Sequence, residues 1–197
     1  FTPTLAAHLA PEVLEVFQAG QPEVAVEIVD DSPHRLQERV EAGEIDAAFG
    51  AFFQKASGID IFPVAASTLV LVHASDLTAI GSSLDWTALR HHRLIALSDA
   101  SPIQQLVQST LKKMDTQVQR CMTVNHIETS IALAEKAFGV TITPSFAIAV
   151  CRRYRVSVAR LLPPVRFNFC RIMKQGRSPN DSLERLTQLV VAALQRP

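Results

Sequence analysis

The sequence predicts an α/β fold, and three observations predict it. Short apolar, β-branched runs alternate with segments of helical period from end to end. Hydrophobic residues are 48% and charged residues 19% of 197 positions, a balance that can bury a core in one large domain or two small ones. The third observation is the stretch 125–144, N-H-I-E-T-S-I-A-L-A-E-K-A-F-G-V-T-I-T-P. Ile127, Ile131, Ala134 and Phe138 recur there at helical spacing. Asn125 with Glu128 three residues on is a capping-box-like start, and Gly139 supplies a left-handed stop. Val140, Thr141, Ile142 and Thr143 form a short strand that Pro144 ends. Such a unit is half of an open sheet, whose ligands bind at the carboxyl ends of strands.

Thr2 before Pro3 opens the first helix, because proline lacks an N–H that would be orphaned there anyway. Leu5, Leu9, Val13, Val16 and Phe17 form its stripe, which Pro11 should kink and which Gly20 and Pro22 close. Residues 24–29 read as a strand covered on both faces. Ser32-Pro33 starts a second helix, with Leu36 and Val40 inward and Gly43 as its stop. Residues 45–49 form a strand ending at Gly50, and 51–58 a loop. Residues 59–62 and 69–72 are two further strands, whose small-residue link Ala65-Ala66-Ser67 is compatible with a hinge.

Residues 85–89 make a helical turn and 94–97 a buried strand. Ser101-Pro102 opens a helix periodic at Ile103, Leu106, Val107, Thr110, Leu111 and Met114. Residues 118–124 form a strand leading into the helix after Asn125. Residues 145–160 read as a short helix and loop with a basic surface, 165–173 as the last strand. Ser178-Pro179 caps a final amphipathic helix through Leu183, Leu186, Leu189, Val190 and Leu194. Hydroxyl–proline starts at Thr2, Ser32, Ser101 and Ser178 are efficient capping, worth about 1 kcal/mol each. The alternation makes a parallel sheet the best-supported arrangement.

Lys+Arg and Asp+Glu are both 19, so the segment carries no excess of cations with which to hold nucleic acid. No apolar run approaches the ~20 residues of a membrane span, and no signal-peptide pattern opens the chain. Cys121, Cys151 and Cys170 are odd in number and lack C-x-x-C spacing, which reads as reduced thiols in the cytoplasm. No nucleophile elbow, H-E-x-x-H, Walker loop or G-x-G-x-x-G is present, so enzymatic activity, a cofactor and a metal site have no support. His91-His92 reads as a solvated turn, and Arg152 to Arg155 as a solvated basic face.

What remains is a binding site made of helix ends. The starts at Thr2–Thr4, Ser98–Ser101 and 125–128 offer unpaired N–H groups and a positive dipole end, which favour a small anion or zwitterion. The hydroxyls of Thr2, Thr4, Ser98 and Ser101 can hydrogen-bond a carboxylate without a buried countercharge. That design suits recognition better than reaction.

The order of segments resembles the effector-binding domain of LysR-type transcriptional regulators, which share the fold of type 2 periplasmic binding proteins. Carrying the resemblance are Leu5-Ala-Ala-His-Leu-Ala-Pro-Glu-Val-Leu-Glu-Val-Phe17 with Gln21-Pro22, and Val40-Glu-Ala-Gly-Glu-Ile-Asp-Ala-Ala48. Leu69-Val-Leu-Val72, Asp85-Trp-Thr-Ala-Leu89, the run 133–144 and Gly176-Arg-Ser-Pro179 complete it. The resemblance implies two Rossmann-like subdomains joined by two crossover strands, 1–66 with 168–197 and 67–167, and an effector held between them. It implies a homodimer or tetramer, with the helix 33–42 of one subunit near the other's second subdomain. DNA would be bound only through an N-terminal winged helix-turn-helix outside this chain. Effector contacts carried over by position are Thr2, Thr4, Phe52, Ser98, Ser101, His126, Ile127, Thr143 and Pro144. A solute-binding protein of a transporter is the alternative on the same fold.

The sequence departs from the family pattern in three places. The family has two glycines before Pro144, and Ala137 stands for the first. Ser75-Asp76-Leu77 replaces a common His-Pro-Leu. Family domains open with a central strand, and this sequence starts where that strand should end, so either residues are omitted before it or a sheet position is empty, and in the second case a gap beside the 45–49 strand is expected.

Overall fold

Pro11 breaks the opening helix instead of bending it. In the computed structural model, which describes residues 1–53 and 57–195, α1 (Pro3–His8) ends and α2 (Ala10–Gly20) begins around Leu9. The missing N–H of Pro11 makes this the cheapest place to change direction. Leu5, Ala10, Val13 and Phe17 are buried, whereas Val16, expected on the same stripe, is exposed. The chain divides into two units, Phe1–Ala66 with Asn168–Pro197, and Ser67–Phe167.

In the first unit α3 (Pro33–Ala42) starts on Ser32, whose Oγ accepts the Arg35 N–H at 3.4 Å, and stops on Gly43 at φ 78°. Leu36 and Val40 point inward, as the spacing predicts. They pack with Ala48, Phe52, Ile59, Cys170 and Ile172. β1 (Ala48–Gly50) is shorter than the expected 45–49 strand and runs antiparallel to β8 (Arg166–Lys174), with Ala48 opposite Ile172. The predicted 51–58 loop falls partly outside the described residues. The last helix, α7 (Asp181–Leu194), is capped by Asn180, whose Oδ1 accepts the Leu183 N–H at 2.8 Å. Ser178-Pro179 therefore precedes the helix and does not cap it.

Residues 24–29 form no strand. A ladder needs a partner edge along its length, and these residues line a cavity of about 540 Å³. Residues 24–29 line one side, Glu44 to Ala47 and Phe49 the other, and Phe17, Leu183 and Leu186 also line it. Phe1 stands at its end: its N–H donates to Val29 O at 2.8 Å and its carbonyl accepts from Asp31 N–H at 3.3 Å. Thr2 N–H donates to Phe49 O at 3.2 Å on the other side. The expected gap beside β1 is this trough.

β2 (Ile59–Ala74) is one continuous strand of 16 residues, not two joined by a hinge. Ala65, Ala66 and Ser67 remain extended within it, and the change of unit falls between Ala66 and Ser67. Its second half runs antiparallel to β6 (Val140–Pro144), pairing Val72 with Thr141. On its other edge it runs antiparallel to β7 (Val156–Leu162), which lies where a loop was expected. The basic run before Val156 obscures the alternation that makes this strand. β3 (Ser83–Asp85) is parallel to β7. Asp85 then caps a 3-10 helix, Trp86–His91, accepting the Thr87 N–H at 2.8 Å. Trp86 is fully buried and its Nε1–H donates to Pro163 O at 3.0 Å. β4 (Arg93–Leu97) lies between β5 (Gln119–Val124) and β6, parallel to both. The sheet of the second unit is thus mixed: β4, β5 and β6 are parallel, and β2 runs antiparallel to β6 and β7.

Candidate functional site

Within the second unit the strands run β3-β7-β2-β6-β4-β5. The chain leaves β4 through α4 (Pro102–Lys113) towards β5, and leaves β6 towards β7 on the opposite side. Connections depart in opposite directions from the adjacent ends of β4 and β6. That is a topological switch point, the place in an open α/β sheet where a crevice forms beyond the strand ends.

Two of the expected contact residues, Ser98 and Ser101, flank the turn into α4. Ser98 N–H donates to Val124 O at 2.8 Å, and its carbonyl accepts from Ser101 N–H at 2.8 Å. Ser101 Oγ accepts the Gln104 N–H at 3.5 Å, the cap that Ser-Pro spacing predicts. Asp99 is exposed and held by Arg120 at 2.8 Å and by Gln108 Nε2 at 2.6 Å. These bonds, first the one from Arg120, keep its carboxyl below the usual range. The negative charge nearest the α4 start is therefore engaged from outside.

Gln104 was not legible as a site residue. It lies on the inward stripe with Val107 and Leu111, is buried, and its Oε1 accepts the Leu97 N–H at 3.0 Å. Its Nε2 is buried with no partner. A glutamine on an otherwise apolar stripe was the available signal.

The other helix start differs from expectation. α5 (Ile127–Glu135) has His126 as its N-cap, not Asn125, and no side chain caps it. His126 is exposed, and its carbonyl accepts from Ser130 N–H at 3.2 Å. Glu128 Oε1 accepts from Tyr154 OH at 3.2 Å. Ile127 is half-buried beside a core of Val72, Ile131, Val150 and Cys151. The helix ends at Glu135 with Lys136 as its C-cap, and the left-handed residue that follows is Ala137 at φ 56°, not Gly139. Phe138, beyond that stop, is exposed although the spacing placed it inward. Thr143 and Pro144, the last residues of β6, are buried, and Thr143 Oγ1 has no partner. Thr143 lies across from Val70 and Pro144 from Leu69.

Three expected residues belong to the first unit. Thr2 is the α1 N-cap by position, without a side-chain bond, and its methyl packs against Gly50. A Cβ at Gly50 would stand 2.7 Å from that methyl and 3.2 Å from the Phe52 ring, so glycine is needed for close approach. Phe52 is a core residue beside Leu36 and Ile59. Thr4 is half-buried in α1.

Among the described residues no group of three His, Cys, Asp or Glu is placed to hold a metal ion, and no helix is long and apolar enough to cross a membrane. His92 is held below the ordinary imidazole value by partial burial, then by the nearby His91 and His73.

Residues 1–195 match the family described as the LysR substrate binding domain. The chain belongs to that family. Solved structures agree on the fold: the effector binding domain of QuiR in complex with shikimate superposes with a TM-score of 0.84 at 18% identity, covering 98% of this chain and 93% of that one. The Corynebacterium glutamicum OxyR C206 mutant gives 0.86 at 22% identity, over 98% of this chain and 62% of that one. A curated relative, the uncharacterized HTH-type transcriptional regulator YbhD of Escherichia coli (strain K12), is 23% identical over 147 residues. That match takes in 74% of this LysR substrate-binding chain and 46% of YbhD, so the chain spans about half the length of its curated relative.

Proposed function

We propose that this chain senses a small anionic or zwitterionic effector for a LysR-type bacterial transcriptional regulator, with DNA bound by a separate helix-turn-helix domain. The observation that carries the reading is the switch point at the ends of β4 and β6, dressed with neutral donors. Ser98, Ser101 and the α4 start supply hydroxyls and oriented N–H groups, and Thr143 a buried hydroxyl without a partner. Family membership favours a regulator over a transporter's solute-binding protein, and it supports reading the protein as cytoplasmic and as a homodimer or tetramer.

An effector acts by binding one of two conformations better, and about 1–3 kcal/mol of differential affinity is enough to change DNA binding. Nothing in the reading requires bond-making chemistry at Ser98, Ser101 or Thr143. The test is thermal denaturation in the presence of small carboxylates. A ligand at 100 times its Kd stabilises the fold by about 2.7 kcal/mol, a shift of several degrees. Ser101→Ala should weaken the response of whichever compound gives it. If no carboxylate, amino acid or sugar acid raises the melting temperature, the effector reading is wrong.

A further inference from the structure

Ser98 N–H donates to Val124 on β5, and successive N–H groups in a strand point to opposite edges. The Leu97 N–H therefore faces β6. The paired residues of β4 and β6 are Leu94 with Val140 and Ile95 with Thr141, so the ladder does not include Leu97. There the acceptor is the Gln104 side chain, at 3.0 Å. Only the amide oxygen can accept, so this bond fixes which way the group is turned and directs its NH2 away from Leu97. That NH2 is buried and unpartnered, and Gln104 is 3% exposed. The neighbouring glutamines of α4 are different: Gln105 Nε2 donates to Asp99 O at 3.1 Å and Gln108 Nε2 to Asp99 Oδ1.

We propose that Gln104 is a specificity-determining residue, whose Nε2 donates to a carbonyl or carboxylate oxygen of the small molecule bound at the ends of β4 and β6. This rests on the effector-binding reading above. A donor that is already desolvated and already oriented loses little freedom when an acceptor arrives. It also discriminates: an analogue with a methyl in place of that oxygen would leave the NH2 unpaired in a closed site, the kind of mismatch that buried polar groups penalise most.

The experiment uses benzoate, acetate and shikimate as probes on chain labelled with ¹⁵N. Side-chain amide peaks are followed in ¹H–¹⁵N spectra, that of Gln104 being assigned by its loss in Gln104→Glu. The variant keeps an acceptor for Leu97 N–H and removes the donor. The expected result is a saturable movement of the Gln104 peak with at least one carboxylate while those of Gln105 and Gln108 stay, and at least tenfold weaker binding in Gln104→Glu at pH 8. A saturable response at the Ser101 backbone with a stationary Gln104 side chain overturns this inference and leaves the effector reading standing. Equal affinity of the variant does the same. If Gln104→Glu does not fold, the wild-type peak decides the matter, with assignment through backbone connectivities. No saturable response to any of the three probes overturns the inference and counts against the effector reading with it.

Discussion

A Cβ on Gly139 would stand 2.5 Å from the carbonyl oxygen of Arg93 and 3.1 Å from Cys121 Sγ. Gly139 leads into β6, which pairs with β4 one residue later at Val140 and Leu94. The glycine is there for approach, and its backbone torsions are ordinary. Backbone on one side and a half-buried thiol on the other cannot both retreat. Gly139→Ala should cost about 3 kcal/mol in urea unfolding, as overpacking against fixed atoms does. A cost below 0.5 kcal/mol would mean that β4 and β6 are not in contact there.

Two residues earlier the situation is reversed. Ala137 holds φ 56°, where its Cβ crowds the following carbonyl at about 1–2 kcal/mol. The family's usual glycine would remove that strain and return about 0.4–1 kcal/mol through its freer unfolded state. Ala137→Gly should therefore be neutral to about 1.6 kcal/mol stabilising, read as a rise in melting temperature of at most several degrees. Loss of stability would place Ala137 outside the left-handed region.

Burial pushes the Cys151 thiol up to about 11, and Cys170 moves the same way for the same reason. The unfolded thiol ionises near its ordinary value, so the native state is undiminished below that pH and loses stability as pH rises towards about 11. Between pH 8 and 10.5 the fall in unfolding free energy should be shallower in Cys151→Ala than in the parent. At pH 8 in native buffer, iodoacetamide should leave Cys151 and Cys170 unmodified and reach both in urea.

The patterning made most elements legible, and it failed where a cause outside local sequence decided the outcome. Ser32 and Ser101 cap their helices as the Ser-Pro spacing predicts, but Ser178 does not, because Asn180 is two residues nearer the first turn of α7. Residues 24–29 have strand chemistry but line the cavity, with Val29 meeting Phe1. β2 stays extended through Ala65 and Ala66, so small residues between two apolar runs do not mark a break in the strand. Of the candidate site, Ser98 and Ser101 were readable as hydroxyls at a helix start after a strand, and Thr143 came only through the family resemblance. Gln104 was not readable, since its importance comes from the Leu97 N–H that faces it across seven residues.

Arg171 is a buried cation in β8 that joins the sheet to α7. Its Nη1 donates to Glu184 Oε1 at 2.9 Å and Thr187 Oγ1 at 2.8 Å, and its guanidinium lies 5.0 Å from the centroid of the Phe62 ring. The two partners are unequal: the Arg171 side chain is 6% exposed and that of Glu184 46%. Removing the carboxylate leaves a buried cation that keeps Thr187 Oγ1 and the Phe62 ring but loses its anionic partner, whereas removing the arginine leaves a carboxylate that water can reach. Glu184→Ala should thus cost about 3 kcal/mol, and Arg171→Met, which keeps the stem's packing beside Phe62, less than that. The double variant should be more stable than Glu184→Ala alone, since the stranded cation is gone. Urea unfolding of the three proteins measures this cycle, and additive costs would show that the pair does not act as a buried ion pair.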